Sequence, residues 1–150
     1  MAHPDGGMYS INLVSPQHLT YHFFTPGTDR NDARWMNFSA HAQGIAEGIP
    51  VGHRAIVYVT ERQQFVWAIE YTGQVENGQR IAEGSGMDAK WSQVFLPIRF
   101  LAAVADVAAA PNAADVLATA GVSFTPGRFP MKYISAEDYQ KLYDVIEWSS

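Results

Sequence analysis

The stretch from Trp35 to Val75 decides how the rest of the chain is read. It runs Trp35-Met-Asn-Phe-Ser39, a short Ala/Gly-rich segment, then Pro50-Val-Gly-His-Arg-Ala-Ile-Val-Tyr-Val59 and Gln64-Phe-Val-Trp-Ala-Ile-Glu-Tyr-Thr-Gly-Gln-Val75. The last two runs are rich in β-branched and aromatic residues and are parted by the polar Glu61-Arg-Gln-Gln64, which is the pattern of an antiparallel hairpin. In the second run Phe65, Trp67, Ile69 and Tyr71 fall on one face, and Val66, Ala68 and Glu70 on the other. A strand that is apolar on both faces for part of its length belongs inside a sheet or barrel. The hairpin is therefore placed at the centre of the fold.

Toward the N-terminus, Ser39 suits the N-cap of a helix running to about Glu47. Gly44 weakens that helix, and Gly48 with Pro50 stops it. Leu19-Thr-Tyr-His-Phe-Phe24 reads as the first strand, ended by the turn-forming Thr25-Pro-Gly-Thr-Asp-Arg30. Residues 1–18 lack periodicity and are expected to be a flexible lead-in to one domain over 19–150. Toward the C-terminus, Glu76 to Lys90 is a polar, Gly-rich loop of a length often reserved for function. Trp91 to Leu101 reads as a strand in which Pro97 marks an edge position or a bulge. Pro111 to Gly121 makes a short helix closed by Gly121, and Met131 to Ile134 leads into the last element. Ser135-Ala-Glu-Asp138 has the form of a capping box, with Ile134 and Tyr139 at the two positions of a hydrophobic staple. Tyr139, Leu142, Tyr143 and Ile146 then recur at i, i+3, i+4 and i+7, which predicts a helix over about Ala136 to Glu147 with one buried stripe.

With 150 residues and 47% hydrophobic content, the chain can bury a core of its own. It has no cysteine, which excludes disulfide scaffolds, thiolate metal sites and cysteine nucleophiles together. The formal charge of −5 argues against a broad, phosphate-gripping surface, so any contact with nucleic acid has to be local. No run approaches the ~18 apolar residues of a membrane span, and the first residues lack the regions of a signal peptide. A cytoplasmic protein is expected. His3, His18, His22, His41 and His53 form no metal-binding spacing with each other or with carboxylates. There is no nucleophile elbow, P-loop or dinucleotide fingerprint, and Gly84-Ser-Gly86 lacks the strand-to-helix setting of a phosphate cradle. Neither a cofactor nor an enzymatic activity is expected.

In order and spacing, the chain from about Tyr21 to Ile146 resembles the EVE domain family, a branch of the PUA-like superfamily related to YTH domains. Trp35-Met36-Asn37 stands where that family has Trp-Asp-Gly. Pro50-Val51-Gly52-His53 precedes the strand ending in Tyr58, with His53 where Asp is common. Val66-Trp67-Ala68-Ile69 occupies the apolar strand in which small residues are usual. Trp91 to Arg99, Gly127-Arg128-Phe129 and Ser135-Ala-Glu-Asp-Tyr139 fall at the later strand, the basic strand and the start of the final helix. The resemblance implies an α+β, PUA-like, mostly antiparallel β-barrel of five to six strands with two to three flanking helices.

It also implies a function. In EVE and YTH domains a Trp in the first loop and another near the later strand wall a cage for a flipped, modified base. By resemblance the cage here would be Trp35 and Trp91, with Phe38 and Tyr58 adding aromatic surface and Asn37 and Ser39 reading the base edge. Helix capping is an equal reading of Asn37 and Ser39, and Trp67, mid-strand, is expected in the core. Arg34, Lys90, Arg128 and Lys132 are the candidates for flanking phosphates, joined by Arg30. The expected partner is DNA or RNA carrying a modified base, with any effector on a separate protein. The alternative is a small-molecule or nucleotide-binding protein, or a small enzyme, that uses the same barrel pocket.

Overall fold

The computed structural model describes residues 8–17, 34–38, 42–77, 94–127 and 130–149. The hairpin lies where the sequence places it. Strands β3 (Arg54–Val59) and β4 (Gln64–Tyr71) pair antiparallel and are buried along almost their whole length. The turn between them holds Glu61 and Gln63 at positive φ, and the Gln63 carbonyl accepts from Ala113 N, tying the turn to the helix that follows.

Four strands flank this pair. They are β1 (Tyr9–Val14), β2 (Arg34–Phe38), β6 (Val94–Ala103) and β7 (Met131–Tyr133), and the sheet order is β2-β6-β4-β3-β1-β7. A two-residue β5 (Glu76–Asn77) adds to β6. Among the described residues every pairing is antiparallel except β1 with β3, so the sheet is mixed, and it curls into a half-barrel. With α1 (Gln43–Glu47), α2 (Ala113–Ala120) and α3 (Ala136–Val145), the architecture is α+β, as expected.

The curl gives the sheet two differently filled faces. On the inner face Met36, Phe38, Ala55, Val57, Ile69, Tyr71, Leu96 and Ile98 pack with Ala46 of α1. On the outer face Ile11, Ile56, Tyr58 and Phe65 are covered by Val116 of α2 and by Tyr139 and Leu142 of α3. Both covering helices are capped as their sequences dictate. Asn112 Oδ1 accepts from Ala114 N, and Gly121 closes α2 at φ 71°. Ser135 Oγ accepts from Asp138 N at the start of α3.

Three expectations are corrected. Residues 9–14, read as part of a flexible lead-in, are a strand between β3 and β7 with Ile11, Ser10 and Asn12 buried. Ala42, without a side-chain hydrogen bond, occupies the N-cap of α1 in place of Ser39. Pro97 sits on neither an edge strand nor a bulge. β6 is internal, and Pro97 falls between the segment paired to β4, which reaches Ile98, and the segment paired to β5, which reaches Phe95. There its missing N–H costs no ladder bond, while its carbonyl still accepts from Thr72 N. A Cβ on Gly73 would lie 2.7 Å from Pro97 Cγ, so this passage admits only glycine without displacing the ring. The expected first strand, Leu19 to Phe24, and most of the loop from Glu76 to Lys90 lie outside the described residues.

Candidate functional site

Register decides which side chains can act together. Successive residues of a strand point to opposite faces, and directly paired residues share one. Trp35 is paired with Pro97, Glu70 with both Arg99 and Arg54, and Arg54 with Tyr9. Pro97 and Arg99 are two apart on β6. These side chains therefore form one stripe across the outer face, from β2 through β6, β4 and β3 to β1. With strands about 4.8 Å apart, four steps give it a length of roughly 19 Å.

At the centre of the stripe Glu70 joins two arginines. Arg99 Nε donates to Glu70 Oε1 at 2.7 Å and Arg54 Nε to Glu70 Oε2 at 3.1 Å. The carboxylate side chain is 15% exposed, whereas the Arg54 and Arg99 side chains are 46% and 56% exposed. Burial pushes the Glu70 carboxyl up, but the hydrogen bonds and charges of Arg99 and Arg54 outweigh it and hold it below its usual range. Where the stripe meets α3, the Tyr139 ring stands 5.0 Å from that of Tyr9, and its buried hydroxyl has no hydrogen-bond partner. Burial pushes that phenol up to about 12, against the nearby positive charge of Arg54.

The inner face carries a second polar group, wholly enclosed. Ser10 Oγ lies 2.7 Å from Asn12 Oδ1 and 2.8 Å from His53 Nε2, and Asn12 Nδ2 donates to the Tyr71 hydroxyl. All four residues are at most 1% exposed. Ser10 has a single proton and gives it to Asn12, so His53 must donate from Nε2. The His53 ring stands edge-on to Tyr71 at 5.6 Å and to the partly exposed Tyr133 at 5.8 Å. Burial holds the Tyr71 phenol far above its ordinary range, with the Asn12 hydrogen bond working against it.

The residues singled out from the sequence scatter over these surfaces. Trp35 and Asn37 share the outer face of β2, half-buried, opposite Pro97 and Phe95, and Asn37 Oδ1 is enclosed without a hydrogen-bond partner. Phe38 points the other way and is 3% exposed in the inner core. Tyr58 is buried under the helices against Phe65 and Phe124, on a strand separated from β2 by β4 and β6. Phe38 and Tyr58 thus cannot wall one cage with Trp35. Arg34 is also corrected: it is 6% exposed and faces inward, opposite Ile98, so it is no surface cation. Lys132 is exposed on the outer face, with Nζ 5.8 Å from the Phe124 ring centroid. Trp67 is core, 3% exposed and edge-on to Phe100. Trp91, Ser39, Lys90, Arg128 and Arg30 lie outside the described residues.

Sequence reading missed both polar groups. A signal existed for the second, because Tyr9-Ser-Ile-Asn-Leu13 alternates as a strand does. The first depends on a bulge. Counting back from the turn would set Arg54 opposite Ile69, but the ladder shifts between Val57 and Tyr58 and brings Glu70 there instead. Among the described residues no group of His, Asp or Glu could hold a metal ion, and no helix is long and apolar enough to cross a membrane.

No family profile matches the chain, and no curated protein matches it in sequence. Solved structures do match. A hypothetical protein from Leishmania major superposes with a TM-score of 0.59 at 12% identity, over 91% of this chain and 92% of that one. A protein from Rhodopseudomonas palustris, solved by NMR, gives 0.56 at 14% identity over 92% of each chain. The ASCH protein from Zymomonas mobilis gives 0.55 at 7% identity, over 94% of this chain and 97% of that one. At such identities the likeness is one of fold alone, an α+β fold shared with the ASCH protein.

Proposed function

We propose that this protein is a non-enzymatic nucleic-acid-binding module of EVE type, which takes a modified base of DNA or RNA out of its stack and holds it against Trp35. One observation carries the reading. Trp35 and Asn37 stand side by side on the outer face of β2, the last strand of the sheet among the described residues, half-buried, and the enclosed Asn37 amide oxygen has no hydrogen-bond partner. An aromatic face beside an acceptor that entry of the base would uncover and satisfy suits a flipped base: stacking worth about 1–3 kcal/mol, and a polar group for its Watson–Crick edge. A methyl group on the base adds burial against the indole. Trp91, on the resemblance, supplies the opposing wall, and Ser39 a second edge contact. The PUA-like fold and the neighbouring arginines support the reading, and an ASCH protein among the structural neighbours is in keeping with it.

The test is a titration with methylated and unmethylated oligonucleotides of one sequence. Trp35→Ala should remove about 1–3 kcal/mol of affinity for the methylated strand and leave the melting temperature little changed. Trp67→Ala serves as the control: its cavity should destabilise the fold by about 3–5 kcal/mol. If Trp35→Ala binds methylated strands as the parent does, or melts as early as Trp67→Ala, Trp35 is packing and the base site lies elsewhere.

A further inference from the structure

The stripe that begins at Trp35 continues into a pair of arginines whose arrangement is more specific than a surface ion pair needs. Glu70 engages each guanidinium only through Nε, with one carboxylate oxygen for each. Among the described residues the terminal nitrogens of the two forks have no hydrogen-bond partner. Glu70 thus acts as a strut between the two guanidiniums, which stay half-exposed on either side of it. That geometry is suited to bidentate recognition of phosphate, for which an arginine fork offers two parallel N–H donors. The local balance of two arginines against one carboxylate stays positive although the chain carries −5.

Resting on the reading of Trp35 as the base-stacking residue, we infer that Arg99 and Arg54 bind consecutive backbone phosphates of a single strand of nucleic acid. The strand crosses the outer face transverse to the β-strands, from β2 toward β3. Trp35 is opposite Pro97, and Arg99 is two residues further along β6 on the same face, so the first phosphate site adjoins the base site. Arg54 is two strands beyond, across Glu70. Glu70 is a positioning residue: it touches no phosphate itself and holds both forks ready.

The test is fluorescence anisotropy of a labelled, short single-stranded oligonucleotide over a salt series, with and without base methylation. R54Q/R99Q should lose about tenfold or more in affinity for each arginine removed, equally for methylated and unmethylated strands. Its slope of log affinity against log salt should fall by about 1.4, two contacts at ~0.7 each on a single strand. R54K/R99K, which keeps the charge but loses the forks, should keep the slope and still bind more weakly than the parent. Exposed ion pairs contribute little to stability, so R54Q/R99Q should stay folded by circular dichroism, and R54Q or R99Q alone provides the reading if it does not. An unchanged affinity and slope in R54Q/R99Q overturns the inference even where methyl discrimination persists. Loss of the slope with no methyl discrimination in the parent upholds the phosphate contacts and removes the base reading. If R54K/R99K binds as tightly as the parent, the forks and their strut are irrelevant and only charge remains.

Discussion

Replacing Tyr71 by Phe isolates the enclosed polar chain, because it deletes one oxygen and keeps the ring that packs against His53. In the folded protein Asn12 Nδ2 donates to that oxygen, and both residues are at most 1% exposed, so the deletion strands an amide donor that water cannot reach. Leaving a buried donor unpaired costs about 1–3 kcal/mol. Asn12→Leu is more severe on the same reasoning. It strands the Tyr71 hydroxyl and the proton that Ser10 gives to Asn12 Oδ1 together, and should cost roughly 2–6 kcal/mol. The double variant Asn12→Leu/Tyr71→Phe replaces both partners of one bond by apolar groups, a change that is nearly neutral for that bond. It should therefore be less destabilised than the sum of the singles by roughly 2–6 kcal/mol, the penalties of the stranded Asn12 amide and the stranded Tyr71 hydroxyl together. Urea denaturation of the parent and the three variants measures this directly, provided the m-value is constant across the set. If the two single effects add within about 0.5 kcal/mol, the two side chains do not share a bond, and the reading of a continuous chain from His53 to Tyr71 fails.

Two further outcomes follow from local geometry and charge. Gly73→Ala places a Cβ against the Pro97 ring at 2.7 Å, and since a proline ring cannot rotate away, a loss of about 1–3 kcal/mol is expected in a thermal melt. The alkaline limb of stability should fall once pH passes about 10. Tyr71 and Tyr139 have folded pKa values raised by burial, so above that pH the unfolded chain sheds phenol protons that the folded one keeps, and a flat limb would contradict their burial. The acid limb runs the other way: the depressed Glu70 carboxyl adds stability above about pH 4.3, lost as pH falls through its folded value, and Glu70→Gln should flatten that loss.

Much of the fold was legible because its signals are local. The hairpin announces itself by two β-rich runs around a polar turn, α2 by the glycine after its last residue, and α3 by a serine three residues before an acid with an apolar stripe behind it. β1 was not legible for a physical reason. Ser10 and Asn12 look like solvent-facing residues, and what satisfies them comes from His53 and Tyr71, 43 and 59 positions away. A polar side chain with a distant partner reads as surface until the partner is known. The site was less legible still. Aromatic type alone cannot tell Trp35 from Phe38, although the two end up on opposite faces of one strand because they are three apart. Arg54 and Arg99 have nothing in their own neighbourhood of sequence to mark them. Only a shifted ladder and a shared carboxylate make them a pair.

The acidic net charge, which from the sequence weighs against a nucleic-acid partner, looks different once charges are placed on faces. α3 carries Glu137, Asp138 and Asp144 and packs over the β1 and β3 end of the outer surface, with Glu137 76% exposed and paired to Lys141. The arginine stripe meets that helix at its Arg54 end, beside Tyr139, and its Arg99 end lies on β6, toward β2. At physiological salt the Debye length is about 8 Å, less than two strand spacings of about 4.8 Å. A phosphate on Arg99 therefore responds mainly to the two guanidiniums and Glu70, while one approaching over α3 meets carboxylates. The same charges that lower overall affinity for a polyanion thus disfavour one direction of approach and leave the other open, an electrostatic contribution to register more than to strength. The salt dependence should accordingly count the phosphates on the stripe and be insensitive to the net charge. Neutralising Glu137 and Asp144 together should raise the association rate at low salt while leaving the slope unchanged, and a slope that steepened would mean that the polymer also lies across the helix.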